Sequence, residues 1–214
     1  MICAVIFDLD GVLIDSEPVN VKAAQQAFSE FGYTLSDEDV LLIPGRHSDD
    51  YIPEIVKNNS LPILPVQVVS SIHEHYRALW QKMVVLMPDT LEILSSLKEK
   101  GIILALATSA SRPTVEMFLN KFGFAKYFTV IISADDICHR KPHPESYLVA
   151  LAKLHQPSHS IIVVEDTAIG VTAAKAAGLL CAAIPNNFSR NQDFSQADYI
   201  YTSLNEVATL INGL

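Results

Sequence analysis

The first residues with evident chemical potential are the two aspartates of FDLDG, residues 7–11. Asp8 and Asp10 close a short apolar run, and residues two apart on an extended chain point the same way. Two carboxylates ~4 Å apart at an effective dielectric of ~20 repel by about 4 kcal/mol, which corresponds to roughly three pKa units. Such a pair either shares a divalent cation and stays ionised or keeps one proton available for transfer. A polar turn bent at Gly11 is the plain alternative, and Gly11 comes too early for a D-x-D-x-D-G calcium loop.

Three further segments have the same character. Thr108-Ser109 ends IILALAT, where a hydroxyl and the following N–H groups form a site for phosphate oxygens; a helix N-cap is the alternative. Lys141 lies in HRKPHPESY (139–147), where Pro142 and Pro144 stiffen the chain beyond it; an ordinary surface lysine is the alternative. Glu165-Asp166 follows SIIVV (160–164), as a second acidic pair or as a cap with a first-turn acid.

Elements must bring these residues together. The runs 2–7, 102–108, 129–133, 160–165 and 180–185 are apolar, β-branched or small, and mostly non-alternating, as strands buried on both faces of a parallel sheet are. YIY (199–201) suits a last edge strand. Helical patterns fall between them at 90–101, 114–123, 144–154 and 168–178. The alternation predicts an α/β fold, a doubly wound Rossmann-like parallel sheet, with ligands at the carboxyl ends of its strands. The first strand ends at 7, yet the next begins near 102. Helical patterns at 19–32, 36–45, 48–59 and 66–84 fill the gap. The expected organisation is therefore a core of 1–14 and 87–214 with an inserted α-helical cap domain, 15–86.

All four polar segments then fall on one side of the sheet. That combination suits a phosphate ester held between a magnesium ion and a lysine, because hard oxygen donors favour Mg²⁺. No histidine-rich or thiolate cluster suggests zinc: His47, His73, His75, His139, His143, His155 and His159 are scattered, although His139 and His143 flank Lys141. GxGxxG, GxxxxGK[ST] and GxSxG are absent.

Composition narrows the partners. With 24 acidic against 15 basic residues the net charge is −9, which argues against non-specific nucleic-acid binding. No stretch approaches the ~20 apolar residues that span a bilayer, and the N-terminus lacks the charged start of a signal peptide. Cys3, Cys138 and Cys181 form no CxxC, so a reducing, cytoplasmic setting is expected.

In this order the segments DLDGVLIDSEP, TSAS, RKPHPESY and VVEDTAIGVTAAKAAG resemble the haloacid dehalogenase-like (HAD) superfamily of phosphotransferases, over nearly the whole chain. The position of the helical insertion is similar to that of the β-phosphoglucomutase and phosphoglycolate phosphatase branch. The resemblance implies that Asp8 is the nucleophile that becomes an aspartyl phosphate. It implies that Asp10 protonates the leaving oxygen, then draws a proton from the hydrolytic water, and offers its backbone carbonyl to Mg²⁺. Asp166, helped by Glu165, completes a metal site with Asp8 and Asp10. Thr108 and the Ser109 N–H hold phosphoryl oxygens, and Lys141 offsets charge on Asp8 and the phosphoryl group.

In the cap, Glu17, Asn20 and Arg46 are the substrate-binding candidates. Dehalogenases of the superfamily lack an acid at the position of Asp10, since halide needs no protonation. Mutases of the branch carry a histidine at the position of Asn20. The expected function is therefore a Mg²⁺-dependent phosphatase of a small phosphorylated metabolite, with a sugar phosphate in view, acting as a monomer. The alternatives are a β-phosphoglucomutase-like sugar-phosphate mutase and a non-catalytic phosphate-binding or signalling protein. Receiver domains also combine acids, Thr and Lys, but lack the insertion and the Asp8/Asp10 spacing.

Overall fold

The computed structural model describes residues 1–213 of the chain. Strand β1 (Ala4–Phe7) leads through β2 (Ile14–Asp15) into four helices: α1 (Glu17–Glu30), α2 (Asp37–Leu41), α3 (Ser48–Asn58) and α4 (Pro65–Met83). Strand β3 (Val85–Leu86) follows. The chain then alternates: α5 (Thr90–Glu99), β4 (Ile103–Ala107), α6 (Arg112–Phe122), β5 (Phe128–Ile132), α7 (Glu145–Leu154), β6 (Ile161–Glu165), α8 (Ala168–Ala176), β7 (Leu180–Ala183), β8 (Tyr199–Ile200) and α9 (Leu204–Gly213).

The fold is α/β. Six strands form one sheet in the order β5-β4-β1-β6-β7-β8, every recorded pairing parallel. Counting only these strands, the order is 3-2-1-4-5-6, so strand order reverses between β1 and β6. Open α/β sheets bind ligands in the crevice at such a reversal. The apolar runs read as strands because both faces are covered: Ala4–Phe7 and Ile161–Val164 are fully buried. On one face Tyr147, Ala150 and Leu154 of α7 and Val171, Ala173 and Ala174 of α8 pack against Ile6, Ala105 and Val163. Small side chains along α8 permit close approach to the sheet. The short pair β2-β3 makes a separate two-stranded sheet.

The chain divides into two compact units, Met1–Asp15 with Leu86 onward and Ser16–Val85. The second is helical, with its own core of Ala23, Ala27, Phe28, Ile52, Ile55 and Val68, among others. A buried carboxylate ties its loops together. Asp39 accepts from the Tyr33 hydroxyl at 2.7 Å, from the Ser36 N–H at 3.0 Å and from Asn59 Nδ2 at 2.9 Å. Among the described residues no helix is long and apolar enough to cross a membrane.

Candidate active site

The register of three strands builds the centre of the site. Phe7 lies opposite Leu106 on one side and Val164 on the other. The next residues along each chain, Asp8, Ala107 and Glu165, therefore lie level at the carboxyl edge. The Asp8 N–H donates to Val164 O at 3.0 Å, and the Thr108 N–H donates to Ile132 O at 3.0 Å. Level residues on neighbouring strands point to the same face, about 4.8 Å apart. Asp8 and Glu165 thus confront each other across one strand spacing, and a cation fills the gap. Lys141 Nζ donates to Asp8 Oδ1 at 2.6 Å, to Glu165 Oε1 at 2.7 Å and to Ala107 O at 3.2 Å.

Burial makes these charges consequential. The side chains of Lys141, Asp8 and Glu165 are 7%, 10% and 1% exposed. Burial pushes the Asp8 carboxyl up to about 7, Lys141 opposing and Glu165 and Asp10 adding to the rise. Burial works against charge on Lys141 too, but Asp8 and Glu165 outweigh it and hold the ammonium above its ordinary range. Lys141 is a fixed cation at pH 7, whereas Asp8 is balanced between its two states. Tyr147, fully buried on α7, donates its hydroxyl to Glu165 Oε1 and sets its ring 4.8 Å beneath Lys141 Nζ. Burial, then Glu165 and Asp8, push that phenol well above its usual range. Its hydroxyl stays a donor.

Beyond β1 the chain turns at once. The Gly11 N–H donates to Ile14 O at 2.8 Å and the Leu13 N–H to Leu9 O at 2.9 Å. Gly11 has φ +80, and a Cβ there would overlap Asp166 Oδ2 and Asn186 Nδ2. Glycine is thus required for conformation and for space. Asp166 is 5% exposed and accepts from Asn186 Nδ2 at 2.7 Å. The Asn186 amide is oriented by its other end, where Oδ1 accepts from the Phe188 and Ser189 N–H groups. Gly170 in the first turn of α8 is required for space alone, since a Cβ there would run into the Glu165 carboxylate. Asp10, half-buried on the same turn, contributes to the field at Asp8.

Neither polar strand end serves as a simple helix cap. Thr108 is 1% exposed, its Oγ1 accepts from the Ala110 N–H at 3.0 Å, and Ser111 is the residue at the N-cap of α6. At α8 the cap is Thr167, whose Oγ1 accepts from the Gly170 N–H at 3.2 Å, while Glu165 is the last residue of β6. Lys141 is not a surface lysine. Ser109 is half-buried beside Thr108.

Asp8, Glu165 and Asp166 each offer a carboxylate oxygen, all within 4.8 Å of one another. Three buried acids against the one ammonium of Lys141 form a hard, all-oxygen donor set that fits a divalent metal.

In the helical unit, Glu17 is 8% exposed, and its Oε1 accepts from the Gly45 N–H at 3.0 Å while Oε2 lies 3.4 Å from Asn20 Nδ2. These residues come together. Arg46 turns to Glu54 of α3 at 2.8 Å instead.

Two polar residues of the site went unassigned in the sequence. Tyr147 lies inside HRKPHPESY, but its apolar neighbours make it look like core. Asn186 follows LCAAIP, and a polar residue just past a buried parallel strand was the signal that would have found it.

The description "Haloacid dehalogenase-like hydrolase" fits residues 5–184. A phosphorylated carbohydrates phosphatase of Thermotoga maritima is 31% identical over 82% of this chain and 82% of its own. A validoxylamine A 7'-phosphate phosphatase of Streptomyces hygroscopicus subsp. limoneus is 30% identical over 94% of each chain. The crystal structure of CbbY from Rhodobacter sphaeroides in complex with phosphate has a TM-score of 0.83 and 29% identity, covering 97% of this chain and 96% of that one. With a match spanning most of its length and relatives of this kind, the chain belongs to the haloacid dehalogenase-like hydrolase family and is an enzyme of hydrolase type.

Proposed function

We propose that this protein is a Mg²⁺-dependent phosphatase of a small phosphorylated metabolite, acting through an aspartyl phosphate on Asp8. One observation carries the reading. Asp8 directly follows β1, buried, with Lys141 Nζ 2.6 Å away and the carboxylates of Glu165 and Asp166 gathered beside it. The phosphate-bound CbbY relative and the two phosphatase relatives support it.

In the proposed reaction a carboxylate oxygen of Asp8 attacks phosphorus in line with the ester oxygen, and the P–O ester bond breaks. Asp10 gives its proton to the departing alkoxide. Water then attacks the aspartyl phosphate, passes a proton to the Asp10 carboxylate and releases phosphate, which restores both acids. Lys141 keeps negative charge tolerable at Asp8 and the phosphoryl oxygens. The Thr108 hydroxyl and the Ser109 N–H donate to the phosphoryl group's remaining oxygens as fixed donors. Asp8, Asp166 and the Asp10 carbonyl, with Glu165 behind them, would hold Mg²⁺, which supplies charge neutralisation and orientation for the phosphoryl group. The helical unit acts as the cap that selects the substrate, through Glu17, Asn20 and Arg46. Asn20 has no titrating group, which favours a phosphatase over a mutase.

The test is phosphate release across a panel of phosphorylated metabolites and an aryl phosphate, with Mg²⁺ or EDTA. Turnover that needs Mg²⁺ and vanishes in Asp8→Asn is expected. Equal and negligible rates for both proteins over the panel would indicate a binding protein. Conversion of β-glucose 1-phosphate, primed with its 1,6-bisphosphate, to glucose 6-phosphate faster than phosphate release would indicate a mutase.

A further inference from the structure

The loop that delivers Lys141 to the acidic centre carries a second cluster on its outer side. His139 Nδ1 lies 2.8 Å from Glu145 Oε2, and His143 Nδ1 lies 3.9 Å from the same oxygen. The two imidazole rings are 4.6 Å apart between centroids. One donor atom from each of His139, His143 and Glu145 falls within 4.8 Å of the others. In the sequence His139 and His143 stand out only as flanking Lys141. The turn of the loop is what gathers them.

The arrangement is held from within. Glu145, the first residue of α7, accepts from the Cys138 N–H at 2.9 Å through Oε1 and from the His139 N–H at 2.8 Å through Oε2. The His143 N–H donates to Arg140 O at 3.0 Å, closing a turn, and Pro142 and Pro144 restrict the backbone between the ligating positions. The carboxylate is therefore already placed, and binding a ligand need only settle two imidazole rings. Both rings are accessible, with side chains 66% and 50% exposed. They open onto a depression of about 870 Å³ that Cys138, Arg140 and Thr172 also line.

The donor set decides the ligand. Asp8, Glu165 and Asp166 offer oxygen alone, which suits a hard cation. Two imidazole nitrogens and one carboxylate oxygen instead suit a borderline metal, and three protein ligands with a position left for water are the composition of an open zinc site. We propose that His139, His143 and Glu145 form a surface site for a divalent transition metal of the zinc class, built from different residues than the acidic centre. An ion there ties together the two sides of the segment from which Lys141 projects.

The experiment is a Zn²⁺ titration followed by calorimetry, with Mg²⁺ in large excess to occupy the acidic centre, repeated with Co²⁺ as an absorbing probe. The intact protein should take up one zinc ion and give visible Co²⁺ bands. His139→Ala and His143→Ala should each weaken zinc at least about 100-fold, beyond the roughly 10–100-fold that a lost supporting contact costs. Both positions are exposed, so the fold should be unaffected by either change. Asp8→Asn should bind zinc as the unaltered protein does. Absence of uptake in excess Mg²⁺, undiminished affinity in either histidine variant, or zinc lost with Asp8→Asn would each overturn the proposal.

Discussion

Asp8→Asn in the absence of metal isolates the electrostatic tension on which the site depends. Asparagine keeps the shape of the side chain and removes its charge. The Asp8 carboxyl is raised from 3.8 to about 7, first by burial and then by Glu165 and Asp10, against the opposing pull of Lys141. A carboxyl raised on folding binds its proton more tightly in the native state, so its contribution to stability is lost as pH rises from the unfolded value toward the folded one. The stability lost to the raised Asp8 carboxyl amounts to roughly 2 kcal/mol at about pH 5.5 and roughly 4 kcal/mol at about pH 7.5, then levels off. In EDTA, the unaltered protein should therefore lose about 2 kcal/mol relative to Asp8→Asn between those two pH values. The attraction of Lys141 for the ionised carboxylate is already contained in that raised value. Urea unfolding of both proteins across this range, with coincident slopes against denaturant, provides the measurement. Adding Mg²⁺ at the higher pH should stabilise the unaltered protein far more than the variant. A stability difference that stays constant across the range would refute the picture of Asp8 as a buried, poised carboxylate.

Other perturbations probe the supports. Tyr147→Phe removes the hydroxyl that Glu165 accepts from and should cost about 1–3 kcal/mol in urea unfolding, the usual range for a hydrogen bond to a buried charged group. Asn186→Ala removes an amide that orients Asp166 and should weaken Mg²⁺ roughly 10–100-fold, with turnover largely recovered at saturating Mg²⁺. Gly11→Ala has to adopt φ +80 and displace Asp166, so it should cost at least ~1 kcal/mol and impair Mg²⁺ binding further, as read by calorimetry. Glu17→Ala leaves the Gly45 N–H without its acceptor and should alter which substrates of the panel are turned over while the aryl phosphate rate changes little.

Much of the fold and part of the site could be read from the chain itself. Strands buried on both faces are visible as uninterrupted apolar runs, because nothing polar can be tolerated along them, and a parallel sheet follows from the helices between. Asp8, Thr108 and Glu165 stand out because they end such runs, where the chain first becomes free to be polar. Small strands and the terminal helix were less legible. Ile14–Asp15 and Val85–Leu86 are too short to carry a periodic signal, whereas Leu204–Gly213 does place Leu204, Val207 and Ile211 at helical spacing and went unread.

What only the tertiary structure decides is which of these groups meet. Sequence order separates Asp8 from Lys141 by 133 residues, and no local pattern says that one lysine among several lies between Asp8 and Glu165. That depends on strand register, which sets Asp8 level with Glu165, and on the packing of α7, which slides Tyr147 beneath the ammonium. The shift of the Asp8 carboxyl belongs to the same level, since burial and neighbouring charge exist only once the chain has folded. Local composition prescribes the elements because propensity and burial act over a few residues. Proximity between distant side chains is a property of the assembled sheet.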